Sequence, residues 1–206
     1  MISEYQTYKN YGRIIGVDEA GRGPIAGPVV AAAVILSKDC RIVGIDDSKK
    51  LSKSKREKLY EEIIQSAKCY AITKVTAKKI DKINILKATF LAMRNVIRKL
   101  ESLADYYLVD GPFLPTKFGN CKLNIEGKAI VKGDEKFICI AAASILAKVS
   151  RDNLMMKYHK KYPQFDFKNN KGYPTKKHIS ALEKYGIALI HRKSFSPISE
   201  NEYKKY

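Results

Sequence analysis

The chain has 206 residues, of which 39 are Lys or Arg and 21 are Asp or Glu, so its formal net charge at pH 7 is +18. This length suits one ordinary domain, and a hydrophobic fraction of 45% excludes a disordered polycation. No apolar run approaches the roughly 20 residues that a membrane-spanning helix needs. The charge favours a polyanionic partner such as nucleic acid, and the alternative is a solvated, lysine-rich surface without a partner.

The N-terminal segment Met1–Asn10 is polar and lacks the apolar stretch of a signal peptide. We therefore expect a cytoplasmic protein without membrane contact, and we take a monomer as the default state. The four Cys are scattered and match neither a zinc-site nor a CxxC spacing, so we expect reduced, structural thiols.

In chain order, the first half of the sequence predicts three strands and a helix. Residues 12–17 and Val29–Leu36 are β-branched, apolar runs that predict two buried strands, joined by the glycine-rich stretch Gly21–Gly27. Ser52–Ser66 begins with a Ser and carries apolar residues on one helical face, which predicts a helix. Tyr70–Thr76 alternates in polarity and predicts a third strand.

The second half predicts two long helices around one strand. Leu86–Leu103 has apolar residues at helical spacing, Tyr106–Asp110 is a strand that ends at a Gly-Pro turn, and Phe137–Met156 is an Ala-rich helix. Beyond it we expect short helices and basic loops. Because strands precede and alternate with helices, the class is α/β or α+β with a mixed sheet.

Four acidic residues stand beside apolar runs in this otherwise basic chain. Asp18 and Glu19 end the first predicted strand, Asp110 ends the strand before the Gly-Pro turn, and Asp134 lies just before the Ala-rich helix. Open α/β sheets place their sites at such strand ends, and carboxylates there are costly unless they are paired or bind cations. Together the four acids indicate a site of hard oxygen ligands, which suits Mg²⁺ or Mn²⁺ better than zinc.

Each acid also has a local alternative. Asp134 is placed to cap a helix, Asp110 to begin the turn, and either Asp18 or Glu19 to pair with Arg22. A geometric difficulty applies to the adjacent pair, since neighbouring strand residues point to opposite faces of a sheet. Both can reach one site only where the strand ends or twists.

Several parts of the sequence, in order and between residues 12 and 197, closely resemble the signature segments of bacterial ribonuclease HII. They are Gly16–Pro24 with Gly27–Val34, Asp46–Ser52, Leu108–Gly111, Lys132–Asp134 with Ile140–Asp152, Gly172–Thr175 with His178, and His191–Phe195. A match over nearly the whole chain is more specific than any one short motif. As a departure, the interval between Asp110 and Asp134 is a few residues longer than is usual in bacterial relatives. We expect the extra residues, around Phe118–Asn124, to form a surface loop.

The resemblance implies an α/β, ribonuclease H-like fold: a mixed five-stranded sheet flanked by helices, with a C-terminal helical extension. It implies a catalytic domain over residues 1–160 and an extension over residues 161–206 that packs on it as one structural unit. Members of the family are metal-dependent endonucleases. They cut on the 5′ side of ribonucleotides in RNA/DNA hybrids and of single ribonucleotides embedded in duplex DNA, and they leave 5′-phosphate and 3′-hydroxyl ends.

By the same resemblance, the catalytic carboxylates are Asp18, Glu19, Asp110 and Asp134, and they bind two ions of Mg²⁺ or Mn²⁺. One ion would lower the pKa of the attacking water, and the other would stabilise the leaving 3′ oxygen. The agreement with the acids chosen by their placement supports this assignment.

Substrate recognition is assigned by the resemblance to the tripeptide Gly21-Arg22-Gly23, at the ribonucleotide junction, and to Tyr173, which would stack on the deoxyribose that follows. Glycine lets backbone groups approach a sugar closely, and Arg22 can bind a phosphate through its fork of donors. The alternatives are a tight turn between strands for the tripeptide and a loop anchor for Tyr173.

The basic residues are concentrated toward the end of the chain. Residues 136–206 contain 15 basic and 5 acidic side chains, against 24 and 16 in residues 1–135, so we expect the C-terminal third to follow the phosphate backbone. The candidate substrate contacts are Lys49, Lys50, Ser144, Lys148, Lys176, His178 and Arg192. No His lies near Ser144 in its motif, which argues against a nucleophilic serine.

Two other functions stay open at the level of sequence: a nucleic-acid binder without catalysis, and a different two-metal nuclease on the same fold, such as a resolvase. Four acids beside a phosphate backbone cost affinity unless metals are bound, which disfavours the first. The Gly-Arg-Gly and Gly-Tyr-Pro-Thr segments favour ribonuclease HII over the second.

Overall fold

Five strands form one mixed sheet in the computed structural model, which describes residues 3–40, 42–45, 48, 51–117, 122–201 and 203. The strands are β1 (Ile14–Ala20), β2 (Val29–Ile35), β3 (Cys69–Val75), β4 (Tyr106–Asp110) and β5 (Glu126–Ile130). Their order in the sheet is β3-β2-β1-β4-β5. The β1–β2 and β2–β3 pairs are antiparallel, whereas β1–β4 and β4–β5 are parallel, which confirms the mixed five-stranded sheet.

Helices cover both faces of the sheet. They are α1 (Glu4–Thr7), α2 (Lys53–Ser66), α3 (Ala77–Ile83), α4 (Ile85–Leu100), α5 (Gly133–Lys136), α6 (Ile138–Lys161), α7 (Phe167–Asn170) and α8 (Lys176–Tyr185). Four of them begin at a side-chain cap that accepts a backbone N–H of the first turn: Ser52, Thr76, Asn84 and Thr175. Among the described residues, no helix combines the length and apolar character that crossing a membrane requires.

The alternation of β1 sends its side chains into two separate apolar layers. Ile15 and Val17 pack in the layer that contains α4, and Ile14 packs in the layer that contains α6. Gly16 lies where α6 crosses the strand, and a Cβ there would lie 2.2 Å from the backbone carbon of Cys139. Only glycine permits this approach, which brings α6 against the α6-facing side of β1, where Asp18 also lies.

A third apolar cluster packs the C-terminal part of the chain against the segment between β1 and β2. It contains Ile25 and Ala26, Met155 of α6, and residues between 162 and 198 such as Phe165 and Leu182. An isolated bridge between Ala26 and His191 adds backbone pairing. Helix α6 continues past its predicted end at Met156 to Lys161, and the proposed division of the chain at residue 160 stays a prediction.

Four elements lack a counterpart in the pattern of the sequence: α1, α3, α5 and β5. The short helix α3 precedes α4, and β5 adds an edge strand beside β4. The first predicted strand extends further than expected, because β1 runs through Asp18 and Glu19 to Ala20. Of the expected surface loop, residues 118–121 lie outside the described residues, and Asn124 at its end donates to the carboxylate of Glu101.

Candidate active site

Three aspartates converge at one end of the sheet. Asp18 lies near the end of β1, Asp110 is the last residue of β4, and Asp134 is the second residue of the one-turn helix α5. One carboxylate oxygen of each lies within 4.8 Å of those of the other two. The pairing of β1 with the parallel strand β4 ends at Val17 and Val109, so Asp18 and Asp110 follow it on the same face.

Backbone donors hold two of these carboxylates in place. Asp18 Oδ1 accepts the N–H of Glu19 at 2.7 Å, and Asp110 Oδ1 accepts the N–H of Gly133 at 2.7 Å. Lys132, just before Gly133, has a φ of 55°, a left-handed conformation that is unfavourable for a residue with a side chain. This strained turn returns the chain from β5 toward β4 and so brings Asp134 to Asp110.

The acidic group is electrostatically unfavourable in the absence of a cation. Asp18 is only 5% exposed, and its pKa is raised well above the ordinary value by burial and then by the carboxylates of Glu19 and Asp110. Burial also raises the pKa of Glu19, while Arg22 opposes this rise. A divalent cation would favour the ionised forms. The three converging donors are all carboxylate oxygens, so the residues fit a hard ion of the Mg²⁺ or Mn²⁺ type.

Glu19 lies in the same cleft but outside this group of three. Its Oε1 accepts a hydrogen bond from Arg22 Nη1 at 3.3 Å, as one of the local alternatives expects. The alternation of side chains along β1 accounts for the difference, because Asp18 faces α6 and its neighbour faces the other side. A role of Glu19 in metal binding stays a prediction.

Asp18 and Asp110 line a cleft whose other walls carry most of the candidate recognition residues. It is lined by Asp18, Glu19, Ala20, Gly21, Arg22, Gly23, Ser48, Asp110, Ser144, Lys148, Arg151 and Tyr173. The ring of Tyr173, 47% exposed as a residue, lies beside the tripeptide: a Cβ built on Gly23 would be 3.4 Å from Tyr173 Cε1. The structure thus places the Gly21–Gly23 tripeptide and Tyr173 next to each other and to the acids.

Two further candidates occupy the α6 wall of the cleft. The Ser144 hydroxyl hydrogen-bonds the Asp18 carboxylate and lies 2.9 Å from the hydroxyl of Ser48. Lys148, one turn further along α6, forms an ion pair with Asp152 at 2.8 Å. Ser144 therefore orients an acidic ligand, and Lys148 presents a positive charge at the cleft that is partly neutralised.

The interpretation of Arg192 as a phosphate contact is wrong. The residue is 0% exposed, and its guanidinium donates to the carbonyl oxygens of Gly21 (2.6 Å), Arg22 (2.8 Å) and Gly27 (3.0 Å). Its donors are used inside the protein, behind the tripeptide. In the sequence of a basic chain, a buried arginine in a polar motif looks the same as a surface arginine that binds phosphate. Only the tertiary packing distinguishes these two cases.

The interpretation of His178 as a phosphate contact is also wrong, because the side chain is 0% exposed. The bonding partners assign the tautomers: Ala188 N–H donates to His191 Nδ1 at 2.8 Å, so His191 carries its proton on Nε2. His191 Nε2 donates to His178 Nε2 at 3.0 Å, and His178 Nδ1 donates to the carbonyl of Tyr173 at 2.8 Å. Burial lowers the pKa of both rings, that of His191 to about 3, so the pair is neutral. His178 thus supports the backbone of Tyr173 from within.

The other expected basic contacts are less defined. Lys49 and Lys50 lie outside the described residues, and Lys176 is exposed at the first position of α8. Residue-by-residue reasoning missed Arg151, Ser48 and His191. All three fall in segments that carry the family resemblance, but nothing in their local sequence indicates that these side chains are buried at or behind the cleft.

Comparison with known proteins agrees with this geometry. The family model described as Ribonuclease HII matches residues 15–198. The ribonuclease HII of Endomicrobium trichonymphae is 54% identical over 192 residues, covering 93% of this chain and 89% of that protein. Among solved structures, ribonuclease HII of Archaeoglobus fulgidus, in a complex with PCNA, has a TM-score of 0.75 at 28% identity, covering 89% of this chain and 95% of that one. Ribonuclease H2 from Pyrococcus horikoshii OT3 has a TM-score of 0.72 at 27% identity, covering 91% and 96%.

These matches confirm both the resemblance of the sequence segments and the ribonuclease H-like fold. The relatives are named as ribonucleases, and this chain aligns with almost their whole length. The buried acidic group is compatible with the metal site of such a nuclease. The protein is therefore an endonuclease, and the chain belongs to the ribonuclease HII family.

Proposed function

We propose that this enzyme hydrolyses the phosphodiester bond on the 5′ side of ribonucleotides, both in RNA/DNA hybrids and at single ribonucleotides embedded in duplex DNA. The products would carry 5′-phosphate and 3′-hydroxyl ends. The observation that carries the proposal is the convergence of Asp18, Asp110 and Asp134 at the edge of a cleft. Asp18 and Asp110 line this cleft together with the Gly21–Gly23 tripeptide and Tyr173. A site for hard cations thus lies beside a wall suited to reading a sugar.

The carboxylates of Asp18, Asp110 and Asp134 would hold Mg²⁺ or Mn²⁺, with Glu19 as a further ligand. When bound, such ions supply a water of lowered pKa and stabilise negative charge on phosphate oxygens. Ser144 holds the Asp18 carboxylate through its hydroxyl, and Gly133 holds that of Asp110 through its N–H. These bonds orient the ligands before the substrate arrives, which is how a metal site gains precision.

Recognition of the ribonucleotide would come from the facing wall. The 2′-hydroxyl is the group by which a protein distinguishes RNA from DNA, and the glycines of the tripeptide allow backbone groups to approach it. Arg22 is half exposed and can offer its remaining donors to a phosphate. The exposed ring of Tyr173 offers a flat apolar face to the next sugar.

The proposal is tested with a DNA duplex that contains one ribonucleotide, an RNA/DNA hybrid and an all-DNA duplex, each with Mg²⁺ or Mn²⁺. We expect cutting on the 5′ side of the ribonucleotide, and a loss of at least about 1,000-fold in Asp18→Asn and Asp110→Asn, because each removes a charged ligand from the metal site.

The control is Asp39→Asn, which removes an exposed acid in the turn after β2 and should leave the rate unchanged. Cutting of the all-DNA duplex would indicate a different nuclease. Binding without cutting, in the presence of either ion, would indicate a non-catalytic binder.

A further inference from the structure

Two buried arginines lie at the cleft: Arg151 lines it, and Arg192 lies behind the tripeptide. Arg151 is 1% exposed and Arg192 is 0% exposed, and neither forms an ion pair within the described part of the chain. Burial lowers the pKa of Arg151 to about 10 and that of Arg192 to about 9. Burying a charge in this way is expensive unless strong hydrogen bonds compensate for the lost water. The hydrogen bonds of the two guanidiniums must therefore offset this cost.

Together they bind the backbone of the segment that carries the tripeptide. Arg192 donates to the carbonyls of Gly21, Arg22 and Gly27, as described above. Arg151 donates to the carbonyls of Pro28 through Nε (3.0 Å) and Ala26 through Nη2 (3.1 Å). Five carbonyl groups between residues 21 and 28 thus point at two buried cations.

The direction of these carbonyls also sets the direction of the N–H groups. In a trans peptide, the C=O of one residue and the N–H of the next point in opposite directions. Because the carbonyls of Gly21 and Arg22 point at Arg192, the N–H groups of Arg22 and Gly23 point away from it. No acceptor for either N–H is found among the described residues. The two donors are thereby available to a ligand.

The same two side chains attach the Tyr173 wall to this segment. Arg151 donates through Nη1 to the carbonyl of Lys171 at 2.9 Å, two residues before Tyr173. The carbonyl of Gly172 accepts the N–H of Ile25 at 2.9 Å, and the N–H of Arg192 donates to the carbonyl of Ile25 at 2.8 Å. The tripeptide and Tyr173 are therefore two outer surfaces of one hydrogen-bonded unit with the arginines at its centre.

We propose that Arg151 and Arg192 are positioning residues for substrate selection, which fix the Gly21–Gly23 tripeptide at its distance from Tyr173. The inference deepens the proposed function and rests on it for the identity of the substrate. Arginine is required because its planar fork bonds several carbonyls at once, whereas a lysine ammonium keeps the charge but is a point donor that cannot span them.

The test compares Arg192→Lys and Arg151→Lys with the control Leu182→Ala. The control weakens the third apolar cluster, which packs the C-terminal part of the chain against the segment between β1 and β2, without touching the tripeptide. All proteins are assayed at a temperature where each is fully folded. In the lysine variants we expect kcat/KM for a single embedded ribonucleotide to fall at least tenfold more than kcat/KM for an RNA/DNA hybrid. Leu182→Ala should preserve the ratio. Equal losses on both substrates in the lysine variants would mean a merely structural role and overturn the inference.

A second measurement does not depend on the proposed function. The spacing of Gly23 from the Tyr173 ring predicts a nuclear Overhauser contact between the Gly23 α-protons and the ring protons. We expect both lysine variants to lose this contact and Leu182→Ala to keep it. Retention in the lysine variants would overturn the inference, even if the wild-type enzyme cut neither substrate and the proposed function failed. If Arg192→Lys does not fold, Arg192→Gln, which can donate to one carbonyl without charge, replaces it in both measurements.

Discussion

At the scale of single residues, the buried acidic group of the candidate active site lowers the stability of the fold. The carboxylate of Asp18 is buried and lies close to those of Glu19 and Asp110, and its pKa is raised as a result. A group with a raised folded-state pKa contributes stability that is present below its ordinary pKa and lost as the pH rises through the raised value. Near neutral pH and without a cation, Asp18 therefore destabilises the protein.

Asp18→Asn is therefore expected to stabilise the metal-free protein. The amide oxygen can still accept from Glu19 N–H and Ser144, but the buried charge is gone. In the presence of a chelator at pH 7.5, we expect the melting temperature to rise by about 3 °C, the effect of roughly 1 kcal/mol in a chain of this size. With Mn²⁺ the order should reverse, since only the wild type gains stability from the ion. Asp39→Asn is the control, and a lower melting temperature for Asp18→Asn in chelator would contradict the argument.

The positions of some site residues could be predicted from the sequence, and those of others could not. Asp18, Asp110 and Asp134 were recognisable because an acid at the end of an apolar strand conflicts with its surroundings in a basic chain. Arg192 and His178 gave no such conflict: basic residues in a basic, polar segment resemble a phosphate-binding surface. Arg192 is buried by bonds to carbonyls 165 to 171 positions earlier, and His178 is enclosed by aromatic rings of neighbouring segments. No local pattern in the sequence reports either contact.

At the scale of elements, a pair of histidines joins α8 to the segment that follows it. His178 on α8 and His191 are packed against the rings of Phe165 and Phe167, and their hydrogen bonds run from the backbone of Ala188 to that of Tyr173. Protonation of either ring would place a second donor where the chain of bonds needs an acceptor. The pair holds only while both rings are neutral.

This pair predicts acid sensitivity of the C-terminal part of the fold. Since the folded-state pKa of His191 is depressed to about 3, the unfolded chain binds the proton more readily, and the free energy of unfolding falls as the pH drops from about 6.5 toward 3. Between pH 7.5 and 5.5 the loss from this residue is about 1.4 kcal/mol. In His191→Gln the decrease measured by urea unfolding should be smaller by that amount. His159→Gln, on α6, is the control, and an unchanged decrease in His191→Gln would refute the prediction.

The sequence did not indicate the elements that form mainly through contacts with adjacent strands or helices. Glu126–Ile130 lacks the apolar run or alternation of a strand, and it forms β5 because β4 offers an unpaired edge. Ala77–Ile83 is a short, lysine-rich helix that packs on α4. By contrast α4 was predicted to within one residue at its start and three at its end, since its apolar stripe follows the helical period.

At the scale of the whole molecule, the net charge of +18 predicts strongly salt-dependent binding of nucleic acid. Each lysine that contacts a phosphate adds about 0.9 to the slope of log affinity against log salt. Lys176 and Lys177 are exposed on α8, a few residues after Tyr173, at the expected path of the duplex. Replacing both by Gln should reduce the slope by about 2 in fluorescence-anisotropy titrations at several salt concentrations.

The matched control replaces Lys68 and Lys99 by Gln. Both are exposed, and they lie at the end of the sheet opposite the aspartates, near the start of β3 and the end of α4. We expect their removal to leave the slope unchanged despite the same loss of net charge. Equal slopes for the two double variants would mean that overall charge, rather than a defined path, governs binding.

The continuous backbone of helix α6 fixes the distance between two walls of the cleft. Ser144, Lys148 and Arg151 occupy one face of it, so the support of Asp18 and the support of the tripeptide wall are separated by about 10 Å of continuous helix. A single inserted residue between Ser144 and Arg151 would rotate everything beyond it by about 100° and turn Arg151 off the tripeptide. The helix thus sets the spacing between the acidic group and the tripeptide wall. Surrounding loops can vary in length, but the segment from Ser144 to Arg151 cannot.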